Sequence, residues 1–581
     1  MDWKILVAVI VGLLIFGIYQ LCSSGDEKSY DDVQAELRAA REDRHADLEA
    51  EKAAEQREEA VEQAREKRGE RPEERTVTLK TDDFRAVLTT RGGALRSLQL
   101  LDPQYLEPPR DWSSGQRLED APEEEYVPVD LVTTNPKYEI NDPLRFEAYQ
   151  GLEGLLPDAD YELVRSDEKT AVFRYRQPDL PVVITKKYVV GEDIGPYQMW
   201  LSIRVRNTGE KKVSFMPAVV QTGYQHGNET GGGLLSQQPN LLQGLCRHGD
   251  SMYREPWNSD EAERTYSGLG VSFTGVETNY FLAAMIPAGD DPTSCSVRAD
   301  VWRTPGAEPH YGLVRAELRW GEVEIDPGES HGFEVKNYLG PKKYDLLQSV
   351  GHDLEESVDF GWFWPISRVL LSLLFMFQKL VVNWGVAIIL LTVLVKLAML
   401  PLTHKSFQSA EKMRALKPQV DEINKKYKDD AQKKQQETMA LYKRNKVNPL
   451  GGCLPTLLQM PIWFALYRTL RAAPELYRAE FFGWIDDLSS PDPYFVTPIV
   501  MGAMMFIQQQ FTPTTGDSTQ AKIMKYFMPI MFTGMMLFLP SGLTLYILVN
   551  TVLSILHQFI IYRRRKSSDS APPPAKAEAS P

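Results

Sequence analysis

A lysine inside an apolar run is the residue of this sequence that most clearly suggests a function, because it would place a positive charge within a membrane span. Lys396 is the single charged side chain of residues 383–402, and Thr392 lies four positions earlier, on the same face of a helix. At 1.5 Å per residue, Lys396 would lie about 18 Å from Trp384 and about 9 Å from Leu402. An ammonium at that depth costs about 2.5–3.5 kcal/mol on membrane-insertion scales. The sequence therefore predicts a polar or hydrated environment around it.

Other polar side chains within apolar runs are candidates to line the same water-filled cavity, open to the cytoplasm: Gln459, Gln508, Tyr546 and Asn550. Simpler interpretations exist for most of them. Lys396 could extend to the inner membrane interface, as long basic side chains do. Gln459 and Asn550 could bond neighbouring helices, and Tyr546 could simply pack. The sequence leaves both interpretations open.

No pattern of a known catalytic centre is present. The sequence contains no His-Glu-x-x-His zinc motif and no phosphate-binding Gly-x-x-x-x-Gly-Lys, and its polar region has no Gly-x-Ser-x-Gly. We therefore predict no catalytic residue, no metal site and no cofactor. A net charge of −14 argues against nucleic-acid recognition. Cys246 and Cys295 could form a disulfide in an oxidising compartment, although two buried free thiols are favoured.

Long uncharged stretches predict membrane spans, because a helix needs about 20 apolar residues to cross a hydrocarbon core of about 30 Å. One such stretch lies in an N-terminal signal anchor, residues 1–22. The run 527–562 would form a helix of about 54 Å, so it is divided at the turn signal Pro540-Ser541-Gly542. Together with the anchor, the remaining predicted spans make six: about 383–402, 449–470, 494–511, 523–539 and 543–562.

The stretches between the spans differ in character. Residues 23–75 resemble a charged linker. Residues 76–345 contain alternating β-like runs punctuated by Pro and Gly, which predicts an all-β sandwich. Residues 346–382 favour an amphipathic helix in the outer interface, the alternative being a long first turn of the next span. Residues 403–448 predict a hairpin of two antiparallel helices.

Lysine and arginine mark the cytoplasmic side of a membrane protein. The hairpin 403–448 contains ten lysines and two arginines, and the tail 564–581 begins within the basic run 563–566. Both termini are therefore predicted in the cytoplasm, with the large segment 23–361 outside. The predicted fold class is a polytopic α-helical membrane protein with an all-β domain and a cytoplasmic helical hairpin.

Several motifs, taken in order, resemble the YidC/Oxa/Alb family of membrane protein insertases in its Gram-negative form with a large periplasmic domain. These motifs are Asn383-Trp384-Gly385, Pro401-Leu402-Thr403, residues 446–453, Gln459-Met460-Pro461-Ile462, Asp492-Pro493-Tyr494 and residues 538–543. The resemblance is dense from about residue 362 to residue 563.

The resemblance implies a periplasmic β-super-sandwich, a five-helix core with a groove open to the cytoplasm and to lipid, and no catalysis. It implies nascent integral membrane proteins as clients, the Sec translocase and membrane lipids as partners, and a location in the cell inner membrane. Only weak ribosome contact is expected from the tail, because its Pro/Ala-rich end is not basic. The family's groove charge is usually Arg and matches Lys396 here, which loses the planar five-donor fork. Its two-aromatic pattern matches at Tyr546 but continues with Ile547.

Two other functions remain as alternatives. One is a small-anion transporter that uses Lys396 as its site, although the spans carry no carboxylate of the kind that proton-coupled transport usually needs. The other is a sugar-binding periplasmic enzyme, because sandwich domains of the mutarotase type are similar to the predicted β domain.

Overall fold

The computed structural model of the chain describes residues 71–569 apart from internal gaps. These gaps are 112–115, 118–120, 134–141, 153, 178–179, 227–241, 257–262, 269, 290–291, 304–308, 429, 446, 448–453 and 512–522. The predicted signal anchor 1–22, the linker up to residue 70 and the end of the tail from residue 570 lie outside the described residues.

Strands dominate the chain from residue 76 to residue 341, here called the β domain. The described strands are β1 Thr76–Lys80, β2 Phe84–Thr89, β3 Ala94–Leu100, β4 Leu106–Glu107, β5 Arg110–Asp111, β6 Gln116–Arg117, β7 Val127–Pro128, β8 Arg145–Ala148, β9 Glu162–Ser166, β10 Thr170–Arg176, β11 Val182–Val189, β12 Gln198–Asn207, β13 Val213–Phe215, β14 Pro217–His226, β15 Gln243–His248, β16 Ser251–Pro256, β17 Arg264–Ser267, β18 Val271–Glu277, β19 Phe281–Pro287, β20 Ser294–Arg303, β21 Pro309–Arg319, β22 Val323–Ile325 and β23 Ser330–Pro341.

Two large antiparallel sheets form the sandwich within the described residues. One has nine strands in the order β16-β15-β18-β19-β23-β12-β11-β10-β9, and the other has five in the order β17-β20-β21-β14-β8. Successive side chains of a strand face opposite sides, and β12 accordingly buries Met199, Leu201 and Ile203 while the residues between them are more exposed. Phe146 of β8 and Phe333 of β23 join the sheets, with ring centroids 5.9 Å apart. The predicted all-β sandwich is confirmed.

A disulfide links the two sheets. Cys246 lies on β15 of the nine-stranded sheet and Cys295 on β20 of the five-stranded sheet, with their Cα atoms 6.2 Å apart. Both residues are fully buried. The expectation of two free thiols is therefore wrong, because the fold brings together two cysteines that are 49 residues apart in sequence.

Helices occupy most of the chain after residue 343. The described α-helices are α1 Tyr344–Val350, α2 Trp364–Val381, α3 Trp384–Ala415, α4 Lys417–Lys426, α5 Ala431–Arg444, α6 Leu454–Ala472, α7 Val496–Phe511, α8 Met528–Met536 and α9 Ser541–Asp569. A π-helical turn, Ile523–Phe527, leads directly into α8. The break between α8 and α9 falls at the Pro540-Ser541-Gly542 signal, as predicted.

Three described helical segments are long and apolar enough to cross a membrane: Trp364–Val381, Trp384–Ser409 and Ser541–Ile561. The first corresponds to the helix that was predicted to lie in the interface, so its length and composition are also compatible with a span. The helices α6 and α7 contain 19 and 16 residues. The arrangement of six spans stays a prediction.

Helix α3 extends beyond the predicted end of its span. It runs without interruption for 32 residues, from Trp384 to Ala415, so residue 402 is not a helix boundary. The chain then turns at Leu416 into α4 and again between Lys426 and Ala431 into α5. Asp430 caps α5, because its carboxylate accepts a hydrogen bond of 2.9 Å from the Lys433 N–H.

Helices α4 and α5 pack against each other through a small apolar cluster of their own. Its buried members are Met413, Leu416, Val420, Leu441, Tyr442 and Val447. Met439 of α5 is half exposed. The cluster is separate from the main core of the protein.

Candidate functional site

The Lys396 side chain joins α3 to α9. Its ammonium donates hydrogen bonds to Asn550 Oδ1 at 3.1 Å and to Ser554 Oγ at 2.5 Å. These three residues are here called the Lys396 cluster. Of the residues proposed from the sequence, the structure therefore brings together Lys396 and Asn550, which lie 154 positions apart in the chain.

Ser554 was missed by the sequence analysis. It is buried on α9, one helical turn after Asn550, and donates its own hydroxyl hydrogen to the Asn550 carbonyl at 2.7 Å. The spacing of four residues from a polar candidate was the signal that could have identified it. Helix periodicity alone does not show, however, which helix faces Lys396.

Thr392 does not extend the Lys396 cluster. It is buried, and its hydroxyl donates to the Ile388 carbonyl of its own helix at 2.7 Å. That bond uses the hydroxyl hydrogen, and among the described residues the Lys396 ammonium bonds Asn550 and Ser554 rather than the Thr392 oxygen. The side chain thus behaves as a packed residue of α3.

Two of the other proposed residues meet one turn away from Asn550. Tyr546 is almost completely buried, and its hydroxyl lies beside the Gln459 side chain of α6 without forming a hydrogen bond of regular geometry. Gln508 is partly buried on α7, a helix that packs along α9. The proposed polar residues are therefore distributed around α9 rather than gathered at one point.

An aromatic cluster follows the Lys396 cluster along α3 and α9. The ring centroid of His557 lies 6.0 Å from that of His404 and 5.2 Å from that of Phe407. His404 also contacts Gln408, with 3.0 Å between the His404 Nε2 and Gln408 Nε2 atoms. These contacts hold the two helices together on the side nearer to α4 and α5.

The opposite ends of α3 and α9 are covered by residues 473–495, here called the capping loop. The Ser541 N–H donates to the Ser490 carbonyl at 2.7 Å, and the Gly542 N–H donates to the Leu488 carbonyl at 3.0 Å. At the start of α3, a side chain at Gly385 would collide with the Phe481 ring of this loop. The Asn-Trp-Gly and Pro-Ser-Gly motifs therefore serve to seat the capping loop on the helices.

Asp492 organises the capping loop at the start of α7. One carboxylate oxygen accepts from the Trp484 indole and the Tyr494 N–H, both at 3.0 Å. The other accepts from the N–H and the hydroxyl of Thr497, both at 2.7 Å. Burial acts to raise the pKa of Asp492, but these donated hydrogen bonds outweigh it and hold the pKa below its ordinary value.

The capping loop also docks on the β domain. The Gln104 amide of the β domain donates to the carbonyls of Glu475 and Tyr477, both at 2.9 Å. The Tyr477 hydroxyl donates in return to the Leu106 carbonyl at 3.0 Å, and its ring packs 5.1 Å from the Tyr280 ring. One loop thus contacts both the β domain and the two helices that carry the Lys396 cluster.

The site has the properties of a charged surface rather than of a catalytic centre. Within the described part of the chain, the Lys396 ammonium meets neutral oxygens and no carboxylate. No group of three or more His, Cys, Asp or Glu side chains that could hold a metal ion occurs among the described residues. The arrangement can present a positive charge within an apolar helical bundle.

Comparison with known proteins identifies the family. The family model described as "60Kd inner membrane protein" matches residues 376–569, and the "YidC periplasmic domain" matches residues 76–373. The membrane protein insertase YidC of Anaeromyxobacter dehalogenans strain 2CP-1 is 37% identical over 524 residues, which is 87% of each chain. The membrane protein insertase YidC of Syntrophus aciditrophicus strain SB is 37% identical over 501 residues, covering 85% of this chain and 86% of that one.

A solved structure of an active YidC insertase, with its first transmembrane domain resolved, is 18% identical and covers 85% of this chain and 93% of that chain, with a TM-score of 0.34. The relatives match through both the β domain and the helical core. The chain therefore belongs to the YidC family of membrane protein insertases.

Proposed function

We propose that this insertase passes the polar tail of its client through a groove whose positive charge is the Lys396 ammonium. The observation that carries the proposal is the Lys396 cluster, in which the ammonium is held between α3 and α9 by two neutral acceptors. A carboxylate partner would cancel the charge, whereas an amide and a hydroxyl leave it available to a client.

The mechanism is physical rather than chemical. Moving a polar segment into an apolar medium without compensating hydrogen bonds costs several kcal/mol, and a hydrated, charged groove lowers that cost. The apolar helix of the client meanwhile moves along the lipid-facing side, where burial of its apolar surface drives insertion. The short span 523–539, about 25 Å long, thins the local bilayer and shortens the path of the tail.

The groove opens on one side. Gln459, Gln508 and Tyr546 line it together with the Lys396 cluster, and the capping loop closes the end nearest to the β domain. This closure supports insertion over the transport of small anions, which needs access from both sides. The enzyme alternative is set aside, because the family to which the chain belongs consists of non-enzymatic insertases.

The proposed topology has six spans, with both termini and residues 403–448 in the cytoplasm and the β domain in the periplasm. The Lys/Arg distribution supports it. A cysteine introduced at position 430 should stay unlabelled when an impermeant thiol reagent is added from the periplasmic side, and a cysteine at exposed position 210 should be labelled. Periplasmic labelling at position 430 would overturn the orientation.

The proposed partners follow from this topology. Helices α4 and α5 form a cytoplasmic hairpin that receives nascent integral membrane proteins. The Sec translocase delivers further clients, membrane lipids surround the core, and the ribosome contacts the short tail only weakly.

Removing the charge of Lys396 tests the groove directly. Lys396→Ala should slow the insertion of a client with an acidic translocated tail about tenfold more than that of an otherwise identical client with a neutral tail, because charge attraction is strong at low dielectric. Lys396→Met, which keeps most of the apolar stem, should act in the same way. Protease protection of the two clients, using purified protein in liposomes, measures both rates.

Lys379→Ala is the matched control, because Lys379 is an exposed lysine near the end of α2. It should leave both clients unaffected. An equal effect of Lys396→Ala on the two tails would exclude direct attraction, and no effect on either tail would exclude the groove charge altogether.

A further inference from the structure

We infer that the side-chain oxygens of Asn550 and Ser554 form a cradle, which accommodates a lysine ammonium at position 396 and excludes an arginine guanidinium. The inference rests on the proposed role of Lys396. It assigns Asn550 and Ser554 as positioning residues, which act on the client through the charge that they hold in place.

The direction of each hydrogen bond is fixed by chemistry. An ammonium has three N–H donors and no acceptor, so the Asn550 amide must present its oxygen to Lys396. Ser554 donates its single hydroxyl hydrogen to the Asn550 carbonyl, so its oxygen is left to accept from Lys396. Each acceptor therefore directs an oxygen atom at the Lys396 ammonium, and both acceptors belong to α9.

The cradle accepts hydrogen bonds from two of the three N–H groups of the Lys396 ammonium, and its neutral oxygens do not cancel the positive charge. Among the described residues, the ammonium has no acceptor other than Asn550 and Ser554. One N–H is thus available to an incoming carboxylate or carbonyl oxygen, while the two bonds prevent the flexible lysine stem from moving toward solvent.

An arginine does not fit the same space. Counted along the side chain, its central guanidinium carbon takes the place of the lysine Nζ, and its terminal nitrogens extend about 1.3 Å further. The Nζ atom lies 2.5 Å from Ser554 Oγ, whereas a carbon atom and an oxygen atom need about 3.3 Å. Since Ser554 is buried, the guanidinium must either displace α9 or turn away from the cradle.

The test pairs a larger side chain at position 396 of α3 with a smaller one at position 554 of α9. Lys396→Arg should slow insertion of the acidic-tail client about tenfold although it keeps the charge, and the double variant Lys396→Arg with Ser554→Ala should restore the rate to within about twofold, because removing Oγ makes room. Ser554→Ala and Asn550→Ala alone should each slow the same client. Asn550→Asp, which keeps an oxygen at the same place but cancels the charge, should be as slow as Lys396→Ala.

Thr551→Val is the matched control, since Thr551 is buried on the same helix and its hydroxyl donates to the Ile547 carbonyl of α9. The full-length variants are compared in liposomes, and thermal unfolding in detergent checks that each is folded. Recovery in the double variant cannot arise from misfolding, so it would support the cradle.

Wild-type activity of Lys396→Arg would overturn the inference. An inactive Lys396→Arg whose activity is not restored by adding Ser554→Ala would also overturn it. Wild-type activity of both Ser554→Ala and Asn550→Ala, beside an inactive Lys396→Ala, would also overturn it while leaving the groove charge intact. Wild-type activity of Lys396→Ala itself would instead reject the proposed function, so the two failures are distinguishable.

Discussion

Replacing residues 417–445 by a short Gly/Ser linker is expected to abolish client insertion without unfolding the helical core. Helices α4 and α5 pack through their own apolar cluster, which is separate from the main core and includes only Met413 and Leu416 from the end of α3 and the turn after it. Their loss should therefore leave the Lys396 cluster intact. Protease-protected client in liposomes measures insertion, and thermal unfolding in detergent measures the integrity of the core.

The matched deletion removes most of the β domain, residues 76–340. It should leave much of the insertion activity, because the proposed groove is built by the helices that follow. Its expected cost is a less firmly held capping loop, since the contacts of Tyr477 with Leu106 and Tyr280 are lost. Equal loss of activity in the two deletions, at equal expression, would show that the hairpin has no special role in receiving clients.

Asp492→Ala is expected to destabilise the helical core by about 3 kcal/mol, because four donors to one buried carboxylate lose their acceptor together. Two of these donors belong to Thr497 in the first turn of α7 and would be left without the cap that starts the helix. Since the capping loop also fixes the start of α9, insertion activity should fall as well. Thermal unfolding of the purified protein gives the change in stability.

Asp486→Ala is the control for this change, because Asp486 is an exposed carboxylate of the same loop. It should leave the unfolding midpoint unchanged. The pKa of folded Asp492 is depressed, so its contribution to stability is present above the ordinary aspartate pKa of about 4 and is lost as the pH falls through the folded value. The difference in stability between wild type and Asp492→Ala should thus become smaller as the pH is lowered. A stability difference that does not change with pH would contradict a role for the ionised Asp492 carboxylate.

Patterns confined to one segment were sufficient to predict the β sandwich and the break between α8 and α9. Alternation along β12 predicted a strand with one buried face, and the Pro540-Ser541-Gly542 signal predicted the break before α9. Lys396 stood out because a charge in an apolar run needs a partner. Each of these inferences used only the physical chemistry of neighbouring residues.

The partners themselves depend on tertiary contacts that no local pattern encodes. Ser554 was overlooked because an apolar helix carries many small polar residues, and only packing shows which of them faces Lys396. Thr392 shares the helix face of Lys396, as its spacing predicts, yet its hydroxyl bonds its own backbone. The Cys246–Cys295 pair was misjudged for the same reason, since it joins strands of different sheets.

The uninterrupted course of α3 has a consequence for how this chain tolerates changes in length. One continuous helix, with Pro401 inside it, carries Lys396 and ends at Ala415, about 28 Å further along the helix axis. Every residue added or removed between these positions turns one end against the other by about 100°. A single insertion would therefore direct α4 and α5 to a different side of the bundle, whereas seven added residues would bring the angle back to within about 20° of the original. The number of residues in this stretch is thus under structural control, even where the identity of its exposed residues is not.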